Sequence, residues 1–228
     1  MSPLQKNKEQ MEAQVKSKQR VADHGEVLTG KREVNAMLDL VKSETERIDS
    51  RFLEPACGTG NFLAEILERK LRVVETRYRR SQLDFERYST LAVSSIYGID
   101  IQDDNVQQCR QRLFGIFDLN YLRLFKNKTN DNCRESVRYI LARNIIHGDA
   151  LTLKTMGENP QPIVFSEWSP VNGSMLKRRD FTFHSLLEHA SMKELPLFSD
   201  LGDDVFIPTP EKEYPLVHFL EVADVDKP

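Results

Sequence analysis

The residues best placed by type and spacing to do chemistry lie in Phe52-Leu-Glu-Pro-Ala-Cys-Gly-Thr-Gly-Asn-Phe-Leu63. A strand-type pair runs into Glu54-Pro55, and a small-residue loop, Ala56 to Gly60, follows. Asn61 then opens a segment with apolar residues at Phe62, Leu63, Ile66 and Leu67, which is helical spacing. Strand, glycine turn and helix in that order form the ligand-binding end of a Rossmann-like sheet. Gly58 and Gly60 let a backbone approach a ligand with no Cβ in the way. Glu54 stands where a phosphate would be repelled. The loop therefore suits a cationic or neutral nucleoside better than a dinucleotide.

Three more stations accompany this loop. Ile96-Tyr-Gly-Ile-Asp-Ile101 is a short apolar strand ending in Asp100. Asn144-Ile-Ile-His-Gly-Asp-Ala-Leu151 is another, ending in Gly148-Asp149-Ala150. Upstream stands Gly25-Glu-Val-Leu-Thr-Gly30. Taken singly, a glycine pair is a tight turn and an Asp after a strand is a helix cap, Asp103 included. Their ordered combination points to a cofactor pocket.

The loop resembles the cofactor motif of class I methyltransferases in its D/E-P-A-C-G-T-G-N-F form. That form is typical of amino-type DNA methyltransferases, which modify adenine N6 and belong to restriction-modification systems. Gly25 to Gly30 resembles the G-E-F-F-T-P motif of the same family, with Gly30 where proline is preferred. The resemblance covers roughly residues 20 to 175. It implies an α/β, Rossmann-like class I methyltransferase domain, a mostly parallel sheet flanked by helices, here truncated in its C-terminal half. It implies S-adenosylmethionine as cofactor and DNA, with an adenine target, as substrate. The cofactor contacts it implies are Thr29, Glu54, Pro55, Ala56, Cys57, Gly58, Gly60, Asn61, Phe62, Asp100, Ile101, Asp149 and Ala150. Asp100 would accept from the ribose hydroxyls, Asp149 from the adenine amine, and Glu54 would face the cofactor ammonium. Ile101 and Phe62 would pack on the adenine faces.

The family's fourth motif, N/D-P-P-Y/F, accepts from the target amine and stacks on a flipped base. At that place this chain reads Val164-Phe-Ser-Glu-Trp-Ser-Pro-Val171. Three readings stay open. Glu167 or Ser166 accepts from the amine, Trp168 stacks on the base, and Pro170 keeps the remnant of the motif. Alternatively, a catalytic, recognition or restriction partner subunit supplies the missing part. In the third reading the chain is a catalytically inactive assembly subunit. Trp168 also has a plain structural role open to it, anchoring a strand end to the core.

The elements that must position these residues follow from periodicity. Val34, Met37, Leu38 and Val41 give a helix over Glu33 to Lys42. The long interval between Glu54 and Asp100 reads as additional helix, with one segment from Leu83 to Val93. Asp103-Asp104-Asn105 is expected to cap a helix reaching Phe125, and Arg134 to Arg143 a shorter one. Pro162 to Ser166 is the expected fourth strand, with a turn at Asn172-Gly173 and a helix over Phe181 to Met192. Val217 to Val222 reads as an edge strand and the tail from Asp224 as loose. The expected organisation is an arm over residues 1–20, a cofactor-binding domain over 21–175 and an irregular extension over 176–228.

Composition sets the remaining bounds. A net charge of −3 is no overall nucleic-acid footprint. Two basic runs stand out: Arg69, Lys70, Arg72, Arg77, Arg79 and Arg80, then Lys177, Arg178 and Arg179. Each is either a solvated face or a phosphate-contacting surface. Cys57, Cys109 and Cys133 have no paired spacing and no histidine in metal-site register, so no metal is expected. They suit a reducing cytoplasm. No run is long and apolar enough for a membrane span, and the amino terminus does not read as a secretory signal.

Overall fold

Each apolar run that ends in a carboxylate becomes a strand, and the three lie side by side. β1 (Phe52–Glu54), β2 (Ile96–Asp100) and β3 (Ile145–Asp149) are parallel neighbours in that order. Phe52 stands opposite Ile96, and Gly98 opposite Ile145. A short β4 (Lys154–Thr155) adds antiparallel to β3. The structure is a computed structural model that describes Arg20, residues 29–193 and residues 208–226. Residues 1–19 of the expected arm and Gly25 to Leu28 lie outside the described residues.

Parallel neighbours require crossover connections. α1 (Lys31–Asp39) and α2 (Lys42–Thr45) lead into β1. Two helices, α3 (Asn61–Tyr78) and α4 (Gln82–Ser94), join β1 to β2 and account for the long Glu54–Asp100 interval. α5 (Asp103–Phe125) and α6 (Asp131–Asn144) join β2 to β3. Ser81 accepts from the Asp84 N–H at the start of α4, and Asn130 from the Asn132 N–H at the start of α6. Gln102 is the N-cap residue of α5, so Asp103 and Asp104 do not cap it. They occupy its first turn, where their charge meets the positive helix end.

These helices bury one face of the sheet. Leu63, Leu67 and Leu71 of α3, Phe85 of α4, Leu113 and Phe117 of α5, and Ile140 of α6 are buried together with Ile96 and Ile145. Each such side chain contributes about 1.5–3 kcal/mol. The other face carries a second, smaller core of Tyr97, Ile99, Ile163, Phe165 and Phe183.

The C-terminal part departs from the expected pattern. β5 (Val164–Val171) runs past the expected Ser166 and pairs antiparallel along its whole length with β6 (Met175–Thr182). It belongs to a second sheet, where β7 (Lys212–Glu213) and β8 (Val217–His218) also pair with β6. Asn172 and Gly173, both at positive φ (42° and 71°), make the hairpin turn. The boundary expected at residue 175 falls inside this hairpin. α7 (Phe183–Lys193) follows. The tail is anchored where looseness was expected, because Asp226 accepts from Tyr139, Arg143 and Arg178. No helix among the described residues is long and apolar enough to cross a membrane.

Candidate functional site

Glu54, Asp100 and Asp149 end three adjacent parallel strands, so three carboxylates gather at the carboxyl edge of one sheet. The loop after β1 turns above them. Gly58 and Gly60 both take positive φ (51° and 82°), the left-handed region that favours glycine. Asp100 holds this loop directly. One oxygen accepts from the Gly58 N–H at 2.8 Å, and the other from the Gln102 N–H at 2.9 Å and the Asn105 amide at 3.1 Å. Cys57 donates its N–H to the Ile99 carbonyl at 2.9 Å, while its side chain packs inward against β2. Cys109 alongside it, and burial, push the Cys57 thiol well above the ordinary range, which makes it a packing group and a poor nucleophile.

Asn61 opens α3 and joins three segments. Its amide donates to the Thr29 carbonyl at 2.8 Å, and its oxygen accepts from Arg112 of α5 at 2.6 Å. Thr29 is thus brought to the loop across the sequence. Burial pushes the Glu54 carboxyl upward, opposed by the Ala56 N–H beside Pro55. Asp149 is held below the ordinary carboxylate range by the Leu151 N–H, which donates to it at 2.8 Å. Phe62 and Ala150 are half-buried and Ile101 is exposed, leaving apolar surface around the acidic edge.

Several supporting residues escaped sequence reasoning. Arg112 reads as one more solvated cation on a long helix, yet it ties Asn61 and the Thr59 carbonyl. Cys109 sits under the loop so closely that a Cβ at Gly60 would lie 2.6 Å from its sulfur. Gly98 lets β2 pass under the loop, since a Cβ there would lie 2.9 Å from Leu63 and 3.0 Å from the Cys57 sulfur. Only the spacing of Gly98, two residues before Asp100, could have hinted at its role.

Glu167, Trp168 and Pro170 lie elsewhere. Arg51, which precedes β1, donates to Glu167. The Trp168 indole N–H donates at 3.1 Å to Asn144, which precedes β3 and holds the Ser94 and Ile96 carbonyls. These contacts put both residues at the amino-terminal ends of the strands, opposite the three carboxylates. Trp168 is buried in the core there, and Pro170 faces Leu176 in the hairpin.

The basic runs are split: Arg69, Lys70 and Arg178 are buried, while Arg72, Arg77, Arg79 and Arg80 are exposed. Lys70 is fully buried and donates to the Ile48 and Ser50 carbonyls and the Ser95 hydroxyl. Arg69 pairs with Glu65 and Asp39. Arg178 forks onto Asp180, Arg179 pairs with Glu167, and Lys177 with Glu213. Each cation of the second run thus has a carboxylate partner, although Glu167 is shared between Arg179 and Arg51.

Neither a curated protein nor a solved structure matches the chain. Residues 26–161 match the family described as MmeI, DNA-methyltransferase domain. The match takes in the loop, all three strand-end carboxylates and both crossovers, and it supports a DNA methyltransferase of the restriction-modification class. The chain belongs to the MmeI DNA-methyltransferase domain family.

Proposed function

We propose that this chain is the S-adenosylmethionine-binding part of a DNA methyltransferase of the N6-adenine type, acting in a restriction-modification or phage-defence system. The observation that carries the reading is the row of Glu54, Asp100 and Asp149 along one sheet edge, under a glycine loop. A ligand bearing an ammonium, a sulfonium and a ribose fits that donor set. Its cationic groups meet carboxylates, and its hydroxyls and amine meet acceptors. A pyrophosphate would meet the same carboxylates and be repelled.

S-adenosylmethionine, when bound, supplies a methyl group on a positively charged sulfur. Asp100 would hold the ribose, exchanging part of its present hold on Gly58 for ribose hydroxyls. Asp149 would accept from the adenine amine, and Glu54 would sit against the ammonium. Ile101 and Phe62 would flank the purine. Thr29, Pro55, Ala56 and Gly60, with the Cys57 backbone, would shape the loop around the ligand, and Ala150 the edge of β3. Asn61 would keep Thr29 and the loop in register. The chain's work would be positioning, which accelerates a direct transfer by aligning donor and acceptor.

A second reading is favoured by the placement of Glu167, Trp168 and Pro170 at the far end of the sheet. In it, the groups that accept from the target amine come from a catalytic or recognition partner, and the isolated chain binds cofactor without turnover.

Calorimetry with S-adenosylmethionine tests the shared premise. Binding is expected, with a large loss in Asp100→Ala while circular dichroism stays folded; no heat with the intact chain would sink it. Radiolabel transfer to mixed-sequence duplex DNA separates the readings. Label incorporated by the chain alone, and lost in Glu167→Ala or Trp168→Ala, would defeat the partner reading.

A further inference from the structure

Among the described residues, β1 is an edge strand. It pairs with β2 on one side, and no described residue pairs with its other side. Phe52 donates its N–H toward β2, to the Ser95 carbonyl. Strand alternation therefore turns the N–H and C=O of Leu53 toward the open side. A backbone donor and acceptor aimed outward from a sheet edge form a template for another strand.

The ground beside this edge is apolar. A cavity of about 360 Å³ opens there, lined by Phe52, Leu53, Tyr97, Phe165, Phe181 and Leu186. Leu53 is 41% exposed at its mouth. A solvated edge is ordinarily blunted by a charged or polar side chain at such a position. Among the described residues, the charges lining the cavity are Arg51, Glu167 and Arg179, which form one cluster. Glu167 accepts from Arg51 on one oxygen and from Arg179 on the other, leaving two cations for one carboxylate. The Arg51 side chain is 59% exposed. Arg51 and Leu53 are two residues apart, so they face the same side of the strand, about 7 Å apart.

We propose that the open edge of β1 receives an extended segment of a second polypeptide by strand addition. The segment hydrogen-bonds to Leu53, places one large apolar side chain in the cavity and sets an acidic side chain two residues away against Arg51. Main-chain pairing gives such contacts their affinity, and alternate side chains their specificity. The apolar cavity selects the large side chain, and the excess of arginine selects the acid. The inference does not depend on cofactor binding, since it uses Arg51, Leu53 and the cavity beside them and none of the strand-end carboxylates Glu54, Asp100 and Asp149.

The test titrates the full chain with two capped nonapeptides of alternating threonine. One carries glutamate two residues before phenylalanine, and the other carries them in reverse order. The readouts are the Leu53 amide in hydrogen exchange and the Leu53 and Leu186 methyl shifts. One peptide is expected to bind at about millimolar concentration, slowing Leu53 exchange severalfold. Replacing its glutamate with lysine should weaken binding about tenfold. Leu53→Lys, which puts a charge at the cavity mouth but leaves the β1–β2 ladder intact, should abolish binding. Unchanged exchange and shifts with both peptides would overturn the proposal. So would binding that survives Leu53→Lys, or concentration-dependent dimerisation that protects Leu53 without any peptide. Calorimetry with S-adenosylmethionine on the same sample keeps this outcome separate from the cofactor reading.

Discussion

Lys70 shows how far a residue's environment can move it from its type. Its side chain is fully buried and its ammonium has three oxygen partners, with no carboxylate among them. Burial lowers its pKa to about 7, from an ordinary 10.5, with the Asp49 charge opposing the fall. In the unfolded chain the amine keeps its proton up to the ordinary value. Between these two values the unfolded state binds more protons, so stability contributed by this site rises with pH across that window. The full span is worth up to about 5 kcal/mol. Urea unfolding at intervals from pH 6.5 to 10 should show the rise, and Lys70→Met should flatten it. A slope identical in both proteins would mean that the amine stays charged in the fold. Gly60 makes a steric counterpart. Its φ of 82° and the Cys109 sulfur 2.6 Å from a would-be Cβ both resist a side chain. Gly60→Ala should cost about 1–3 kcal/mol. Adding Cys109→Ala should recover the clash and leave the backbone part, a non-additivity that a double-mutant cycle reads directly.

At the scale of elements, the motifs were enough to place β1, β2 and β3, because an apolar run ending in Gly-x-Asp, Gly-Asp or Glu-Pro has few other uses. The helices followed from the same periodicity, α1 through Val34 and Leu38, and α3 through Leu63 and Leu67. The hairpin did not. Its inward positions include Ser166, Arg178 and Asp180, all buried, so the apolar alternation that marks a strand is broken by a polar network. Arg178 is 1% exposed and forks onto Asp180 at 2.7 and 2.9 Å, while also reaching Tyr139 and Asp226. This one side chain ties β6 to its own sheet, to α6 and to the tail. Removing one member of a buried ion pair strands the other, so Arg178→Met should cost about 3–5 kcal/mol. Arg178→Lys should recover only part, since an ammonium cannot span both Asp180 oxygens. Chemical denaturation checks the size, and faster proteolysis after Val225 would show that the tail has come loose. An Arg178→Met protein as stable as the parent would mean that the network contributes nothing net.

Across the whole molecule, the sheet has two ends with different work. The carboxyl end gathers Glu54, Asp100 and Asp149, as the motifs lead one to expect. At the amino end lie Glu167 and Trp168, which one of the three open readings of the fourth motif set against the target amine. The reason is topological. A strand that continued the parallel sheet beside β1 would deliver its far end to the loop, but β5 pairs with β6 in a separate sheet and carries Trp168 to Asn144. Nothing in residue types distinguishes those two destinations. The separation makes a prediction about ligand stabilisation. A cofactor at 100 times its Kd adds about 2.7 kcal/mol to a folded state, roughly 5–10 °C for a chain of this size. Asn61→Ala loses the ties to Thr29 and Arg112, worth about 1 kcal/mol each, and should roughly halve the shift produced by a fixed concentration of S-adenosylmethionine. Trp168→Phe leaves the Asn144 oxygen without its donor and should lower the starting Tm by a few degrees, about 1–3 kcal/mol. Its cofactor-induced shift should nevertheless equal that of the parent, because the two ends share no contact in the sheet. Differential scanning fluorimetry on the three proteins is sufficient. If Trp168→Phe abolished the shift as Asn61→Ala diminishes it, the cofactor would have to reach the amino end, and the assignment of the two ends would fail.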